Sequence, residues 1–198
     1  MIDRDLQKHA REFKGYIDNH QYDVTDEGIL FPRAGAMASG EYFFDTDGER
    51  PGSAHNLIPS AALEYLLNAA LGGVAALPNW YLAIYSGAYT PVAGLTAANF
   101  ATAATEITSA TEGYSEATRR PWVSAMATGG AKDNVASRAA FSIKTAASVT
   151  IRGAALISDQ IKGGSAGVLI SASRFANDRV EYDGNVFNLG YRARIRSE

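Results

Sequence analysis

Residues 180–196 read VEYDGNVFNLGYRARIR and contain the clearest structural signal in the sequence. The dipeptide Asp183–Gly184 is typical of the two-residue turn that closes a β-hairpin. Apolar residues flank the dipeptide on both sides. The residues after it alternate between apolar and polar, which is the period of a half-buried strand. The stretch therefore predicts two antiparallel strands joined by a tight turn.

The same pattern extends back along the chain to Asn56. Short alternating runs recur at intervals of roughly ten residues between turns that contain Gly, Asn or Asp, as in a β-sandwich or a jelly roll. Two helices interrupt this pattern, one starting near Pro59 and one over residues 96–107. The first helix has an apolar stripe, formed by Leu63, Leu66, Leu67, Ala70 and Leu71. We predict a mainly β body, jelly-roll-like or a β-sandwich, with one or two short helices.

The first 55 residues have a different character. Apolar spacing predicts a short helix over residues 3–17, whereas residues 18–55 show little periodicity and contain too many aromatics for a solvated linker. We predict an extended N-terminal arm over residues 1–55 and a β-sandwich body over residues 56–198. The arm is expected to pack on its own body or on a neighbouring subunit through aromatic contacts, made by Phe13, Tyr16, Phe31, Tyr42, Phe43 and Phe44.

Composition excludes several classes of site. The chain has no cysteine, and its three histidines all lie in the first 55 residues, so Cys-ligated zinc, thiolate chemistry and a His-based site in the body are excluded. The formal net charge is −3, with eleven acidic against six basic residues in 1–55 and ten against twelve in 56–198. This balance argues against a nucleic-acid partner, which favours a basic face. No cofactor is expected.

Membrane insertion and export are also not expected. The most apolar stretch, residues 61–77, contains Glu64 and Asn68 and is shorter than the ~20 apolar residues of a membrane span. The first residues, MIDRDLQKHAREF, lack the apolar core of a signal peptide. The absence of cysteine agrees with assembly of this protein in a reducing cytoplasm, where disulfides are rare.

The last strand carries a row of arginines. Arg192, Arg194 and Arg196 share one face of the strand at a period of two. One interpretation is a solvated row that discourages unwanted strand pairing. The other is a cationic stripe that binds an acidic partner surface. Both remain open from the sequence.

Three polar motifs have a structural interpretation that outweighs the chemical one. The glycine-rich run 163–167 precedes a strand and lacks the Gly-Lys-Ser/Thr of a phosphate-binding loop, so it predicts a turn. Asp45, Asp47 and Glu49 begin like a calcium loop, but glycine comes at the fourth position instead of the sixth, which indicates a solvated acidic turn. Glu112 and Glu116 would need to oppose each other across a cleft to act as acid and base; a surface or loop-anchoring ion pair is the favoured role.

Large aromatics form the remaining candidate site. Trp80, Tyr81, Tyr85, Tyr89 and Trp122 have the residue types of a sugar-binding platform. Aromatics at strand spacing more often belong to a core, because they dominate burial in a sandwich. No polar constellation accompanies them in the sequence, so the core interpretation is favoured.

Eight segments of the body are informative when taken together: Asn56–Pro59, Ala62–Leu67, Trp80–Tyr85, Tyr89–Pro91, Tyr114–Glu116, Thr118–Trp122, Ser137–Phe141 and Leu169–Phe175. In their order along the chain they resemble small virion structural proteins of tailed bacteriophages, and most of all the head decoration (cement) proteins that clamp neighbouring major capsid subunits. The resemblance covers about residues 56–198 and extends to a role, not to individual functional residues.

The resemblance implies a non-enzymatic capsid decoration protein that binds the major capsid protein and stabilises the head. It implies a homo-oligomer, dimer or trimer, on the capsid exterior after assembly in the bacterial cytoplasm. The contacts expected are the arm aromatics and the arginine row. The alternative is a tail, neck or fibre component, including a glycan-binding module. A third hypothesis, a glycan hydrolase using Glu112 or Glu116, requires two opposed carboxylates.

Overall fold

The chain divides into two compact units. The computed structural model describes residue 14 and residues 22–24, 30–32 and 36–197. The first unit comprises Met1–Met37 and Arg196–Glu198, and in it β1 (Tyr22–Val24) pairs antiparallel with β2 (Leu30–Pro32). The second unit comprises Ala38–Ile195 and contains the sandwich. The helix predicted over residues 3–17 lies, apart from Lys14, outside the described residues.

Two antiparallel sheets form the sandwich. The larger sheet has the strand order β4–β3–β12–β9–β6, with β8 also paired to β12, and the smaller has the order β11–β10–β5–β7. The strands of the larger sheet are β3 (Ala36–Thr46), β4 (Glu49–His55), β6 (Gly113–Tyr114), β8 (Ala131–Asp133), β9 (Ala139–Lys144) and β12 (Val186–Ser197). Those of the smaller are β5 (Tyr81–Tyr85), β7 (Arg120–Pro121), β10 (Val149–Ile157) and β11 (Leu169–Glu181). The predicted mainly β sandwich is confirmed, whereas its jelly-roll variant stays a prediction.

The two predicted helices are present as α1 (Ser60–Ala70) and α2 (Ala97–Ala104). The Thr96 backbone N–H at the start of α2 donates to Asn99 Oδ1 at 2.8 Å, which satisfies one of the helix's free N-terminal donors. A short 3₁₀ turn over Val135–Ser137 separates β8 from β9.

Inter-sheet packing centres on Phe187 of β12. Its ring lies 6.0–6.4 Å, centroid to centroid, from three aromatic rings of neighbouring strands, those of Phe44, Phe141 and Phe175. Phe44 and Phe175, from opposite sheets, stack at 4.1 Å. These side chains are buried, and together they join the two sheets across the interior.

The outer face of the smaller sheet is covered by α2 and the segment before it. Tyr85 and Phe100 meet edge to face at 6.1 Å, and Leu95 and Ala104 complete this second apolar cluster. The smaller sheet is therefore buried on both faces, which explains why bulky residues alternate on both sides of β5.

The Asp183–Gly184 turn does not close a paired hairpin. Asn185 N–H donates to Tyr182 O at 3.1 Å, so the chain does turn here, but β11 and β12 belong to different sheets. The backbone of Ile143 in β9 makes two hydrogen bonds to this turn. Its N–H donates to Asn185 O at 2.9 Å, and its carbonyl oxygen accepts from Gly184 N–H at 3.1 Å. The hairpin prediction is wrong because β11 pairs with β10 and β12 pairs with β9, so the two strands do not pair with each other.

An Asp–Gly dipeptide does close a hairpin at Asp47–Gly48. Both residues have positive φ, 52° and 81°, which is the conformation of a type I′ turn. The turn joins β3 to β4, with Thr46 opposite Glu49 in the register. Residues 36–55 therefore form an edge of the larger sheet.

Because of this hairpin, the domain boundary in the structure differs from the predicted one. The division at 55/56 is not the one in the structure, whose compact sandwich unit begins at Ala38. The physical reason is burial: Tyr42 and Phe44 of β3 are 0% and 5% exposed in the sandwich core. Aromatics that the sequence assigns to an arm are core residues.

A buried ion pair fixes one end of the sandwich. Arg119 and Glu106 are both fully buried and form a bidentate pair, Nε to Oε1 at 2.8 Å and Nη2 to Oε2 at 2.7 Å. The remaining guanidinium donors reach Asp159 O and Gly164 O, each at 3.0 Å, and Gly163 N–H donates to Glu106. The pair therefore ties together three separate loops.

We expect Arg119→Ala to lower the free energy of unfolding by about 3–5 kcal/mol, because it leaves the Glu106 carboxylate buried without a cation. The matched control is Arg174→Ala, which removes a part-exposed pair with Asp178 at 2.8 Å and should cost about 1 kcal/mol or less. Chemical denaturation followed by circular dichroism measures both. Equal losses in the two variants would contradict the role given to the buried pair.

Two truncations test the boundary. Removing residues 1–37 should leave cooperative unfolding intact, because all core-cluster residues within the described part of the chain lie beyond that point. Removing residues 1–55 should abolish it, because it deletes Tyr42 and Phe44, each worth about 3–5 kcal/mol as a buried aromatic, from a fold of about 5–15 kcal/mol. Thermal unfolding checks both, and a stable 56–198 fragment would restore the original boundary.

Candidate functional site

The predicted arm contacts fall into three groups. Phe13 and Tyr16 lie outside the described residues, and Phe31 lies in β2 with its side chain outside what is described. Tyr42 and Phe44 are buried, and the Tyr42 hydroxyl lies 2.6 Å from Ser171 Oγ on the opposite sheet. The prediction that these two side chains contact a partner is wrong, because the sandwich interior covers them.

Phe43 and Arg192 contact each other, and their contact with a partner stays a prediction. The Arg192 guanidinium lies 5.2 Å from the centroid of the half-buried Phe43 ring. Its Nε also donates to Asp133 Oδ2 at 2.7 Å, and this bond lowers the pKa of the Asp133 carboxyl. Arg192 is therefore engaged within the chain.

The other two arginines of the row differ from each other in exposure. Arg194 is half-buried, whereas Arg196 is exposed. The row is therefore not uniform, and its binding of an acidic partner stays a prediction.

The candidate acid/base residues are loop anchors. Glu116 accepts hydrogen bonds from Ser142 Oγ at 2.8 Å and from Ser142 N–H at 3.2 Å. Glu112 accepts from Thr145 Oγ1 at 2.7 Å and from Ala146 N–H at 3.1 Å. Each carboxylate fastens its loop to β9 or to the turn that follows β9, which confirms the predicted anchoring. Among the described residues the partners are uncharged hydroxyl and backbone groups, so the predicted ion pair is wrong.

The acidic turn and the glycine-rich run also have structural partners. Asp45 accepts from Gly48 N–H at 2.9 Å and from Asn188 Nδ2 at 2.8 Å, and it pairs with Arg138. The glycine-rich run supplies Gly163 N–H and Gly164 O to the buried Arg119–Glu106 pair. Over the described residues, no group of three acidic, His or Cys side chains is arranged to hold a metal.

Helix α1 leaves most of its apolar side chains at least partly exposed. Of its residues only Ala62 is buried, and the predicted apolar stripe is largely turned to solvent. Leu63, Leu67 and Leu71 are 44%, 62% and 83% exposed and recur every four residues, so they form one row along the helix and its C-cap residue, Leu71. We name these three residues the α1 leucine row; Val74, 47% exposed, lies just beyond it.

The opposite flank of α1 borders a cavity. The α1 cavity has a volume of about 400 Å³ and lies between the helix and the ends of β3, β8 and β12. Tyr65 of α1 meets Trp80 edge to face at 5.8 Å, and its hydroxyl accepts from Leu77 N–H at 2.7 Å. The lining is dominated by apolar and aromatic side chains, among them Leu66, Trp80, Trp122, Leu156, Ile170 and Tyr191.

Tyr191 closes the inner end of this cavity. It is 1% exposed, and burial raises the pKa of its hydroxyl to about 12. Asn56 Nδ2 donates to the Tyr191 hydroxyl at 3.0 Å, and Trp122 Nε1 donates to Tyr191 O at 3.1 Å. Its backbone and hydroxyl therefore hold neighbouring parts of the wall in place.

A second cavity, the tryptophan cavity, adjoins the first. Its volume is about 380 Å³, and its lining includes Asn79, Tyr81 and Ser124. Leu77, Trp80, Trp122 and Lys132 border both cavities. Of the predicted aromatic platform, Trp80, Tyr81 and Trp122 thus meet at one site, whereas Tyr85 is buried elsewhere.

The sequence did not single out Lys132 or the exposure of the leucine row. Helix periodicity identified an apolar stripe but not whether another element covers it, and Lys132 has no motif around it. No protein-family model matches the sequence, and no curated protein matches it either. Within the described residues, no helix combines the length and apolar character needed to cross a membrane.

Proposed function

We propose that this chain is a non-enzymatic structural protein that attaches to a larger protein assembly through the α1 leucine row, and that the assembly is the head of a tailed bacteriophage. In this role it is a decoration protein that binds the major capsid protein on the capsid exterior. The observation that carries the proposal is the exposure of three leucines in one row. The choice of a phage head comes from the sequence resemblance over residues 56–198.

An exposed row of leucines favours a protein partner. Monomeric soluble proteins seldom expose contiguous apolar surface without a use for it. Helix α1 has one charged residue, Glu64, so its outer surface offers shape and apolar area more than charge. An apolar helix face of this kind docks into a groove on a partner, with anchors one turn apart.

The rest of the described sandwich suits a passive clamp. Its core is continuous between two sheets, and the buried Arg119–Glu106 pair fixes its loops. A rigid body loses little conformational entropy on binding, which favours affinity. Oligomerisation as a dimer or trimer belongs to the same proposal, and neither nucleic acid nor membrane is a proposed partner.

Copy number on purified particles tests the proposal directly. Quantitative mass spectrometry of virions from the genome that encodes this chain should find it in a simple ratio to the major capsid protein. A copy number far below that ratio would place the chain at the neck, tail or fibres. Its absence from particles would contradict any virion role.

The binding surface is tested by replacing the leucine row. The triple variant L63S/L67S/L71S should bind particles that lack the protein at least about 100-fold more weakly, because burial of each leucine contributes about 1.5–3 kcal/mol and each 1.4 kcal/mol is tenfold. Its unfolding should change little, because the leucines are already exposed.

The matched control is V92S/I161S/V180S, which replaces three exposed apolar residues elsewhere (54%, 60% and 39% exposed) and should bind normally. Co-sedimentation with particles measures binding, and sedimentation velocity measures the oligomeric state. Normal particle binding by the leucine-row variant would exclude the row as the capsid contact. A changed oligomeric state with normal particle binding would assign the row to a second copy.

The tryptophan cavity supports a second candidate function, a fibre or tail component that binds glycans. Trp80, Tyr81 and Trp122 lie together there with polar neighbours, which is the combination that a sugar site requires. Saturable quenching of tryptophan fluorescence by a host-surface oligosaccharide would favour this candidate, and an unchanged spectrum would count against it.

A further inference from the structure

The α1 cavity has the properties of a small-molecule site. Its volume of about 400 Å³ lies within the roughly 300–1,000 Å³ typical of ligand pockets. Ala69 and Ala70 of α1 and Ala193 of β12 border it, and their small side chains leave the space open. The surrounding aromatic and aliphatic walls favour an apolar occupant over water.

The charges around the cavity have one sign. Its lining contains two basic residues, Lys132 and Arg194, and no acidic residue. Lys132 lies directly opposite Ala193 in the β8–β12 register, so the two residues share a sheet face. Its Nζ lies 6.0 Å from the centroid of the Trp122 ring, and within the described part of the chain it has no carboxylate partner.

We infer that the α1 cavity binds an amphiphile with a linear apolar chain and a single carboxylate head group. The apolar chain would lie along Tyr65, Leu66 and Trp80, and the carboxylate would accept a charge-assisted hydrogen bond from Lys132 Nζ. This inference is independent of the proposed function, because the α1 leucine row is not part of the cavity lining.

Tryptophan fluorescence reports on this site without a label. Trp80 and Trp122 are the two tryptophans of the chain, and both border the cavity. Titrating the full-length protein with dodecanoate, below the concentration at which it forms micelles, should shift the emission to shorter wavelength and saturate at one molecule per chain. Isothermal titration calorimetry measures the same stoichiometry. A folded protein with no saturable response would overturn the inference.

Head-group choice tests the role of Lys132. Dodecyltrimethylammonium has the same apolar chain and the opposite charge, so it should bind about tenfold or more weakly than dodecanoate. Lys132→Gln should remove this preference, whereas the control Lys144→Gln, on β9 away from the cavity, should keep it. Equal affinities for the two amphiphiles in the parent protein would overturn the assignment of a carboxylate ligand.

Filling the cavity tests the location. Ala69→Phe places a large side chain in the cavity wall and should reduce dodecanoate affinity at least about tenfold. Ala61→Phe makes the same change at an exposed position of α1 outside the cavity lining. It should bind dodecanoate with the affinity of the parent protein. Circular dichroism checks that both variants are folded. If Ala69→Phe does not fold, the Lys132→Gln variant still tests the cavity site. Unchanged affinity in a folded Ala69→Phe protein would place the ligand elsewhere.

The leucine-row variant L63S/L67S/L71S separates this inference from the proposed function. It should retain dodecanoate binding while it loses particle binding. Loss of dodecanoate binding in this variant would assign the amphiphile to the exposed leucines and would overturn the cavity site. If the variant retains both dodecanoate binding and particle binding, the result supports the cavity site and contradicts the proposed capsid contact.

Discussion

The buried pair between Arg119 and Glu106 is the interaction that positions the strand leading to both cavities. Two fully buried charges are tolerated only when they pair with each other and when their remaining donors and acceptors form hydrogen bonds. Here the satisfaction comes from the loop between β10 and β11, in which Asp159 and Gly164 supply carbonyl oxygens and Gly163 supplies an N–H. Arg119 immediately precedes β7, which pairs with β5 and leads into Trp122. The pair thus fixes the strand that delivers Trp122 to both cavities.

Helix α1 is held in a different way from α2. Helix α2 buries Phe100 and Ala104 against the smaller sheet, whereas α1 buries only Ala62 and leaves a cavity along one flank. Its outward leucines and its inward cavity are two separate apolar surfaces on one helix. A partner protein on the first and an amphiphile in the second are therefore compatible. The sandwich supports both surfaces without contributing reactive groups to either proposal.

Much of the secondary structure could be predicted because it follows from local preferences. Pro59, the apolar spacing after it and Gly72–Gly73 mark α1, and Thr96 marks the start of α2. That Glu112 and Glu116 anchor loops was also predictable, but their partners were not, because hydroxyl and backbone donors took the place of the predicted cation. The site was less predictable. Lys132 is unremarkable in the sequence, and only its register opposite Ala193 brings it to the cavity.

Local sequence patterns suffice to predict a mainly β chain with two short helices, because periodicity and turn residues act over a few positions. Long-range packing sets which partner each element takes. Asp47–Gly48 closes a hairpin whereas Asp183–Gly184 joins strands of different sheets, although the dipeptide is the same. It also decided that Tyr42 is core and Leu67 is surface. The physical reason is that local dihedral preference is a property of a few residues, whereas pairing and burial are set by competition among strands far apart in the chain.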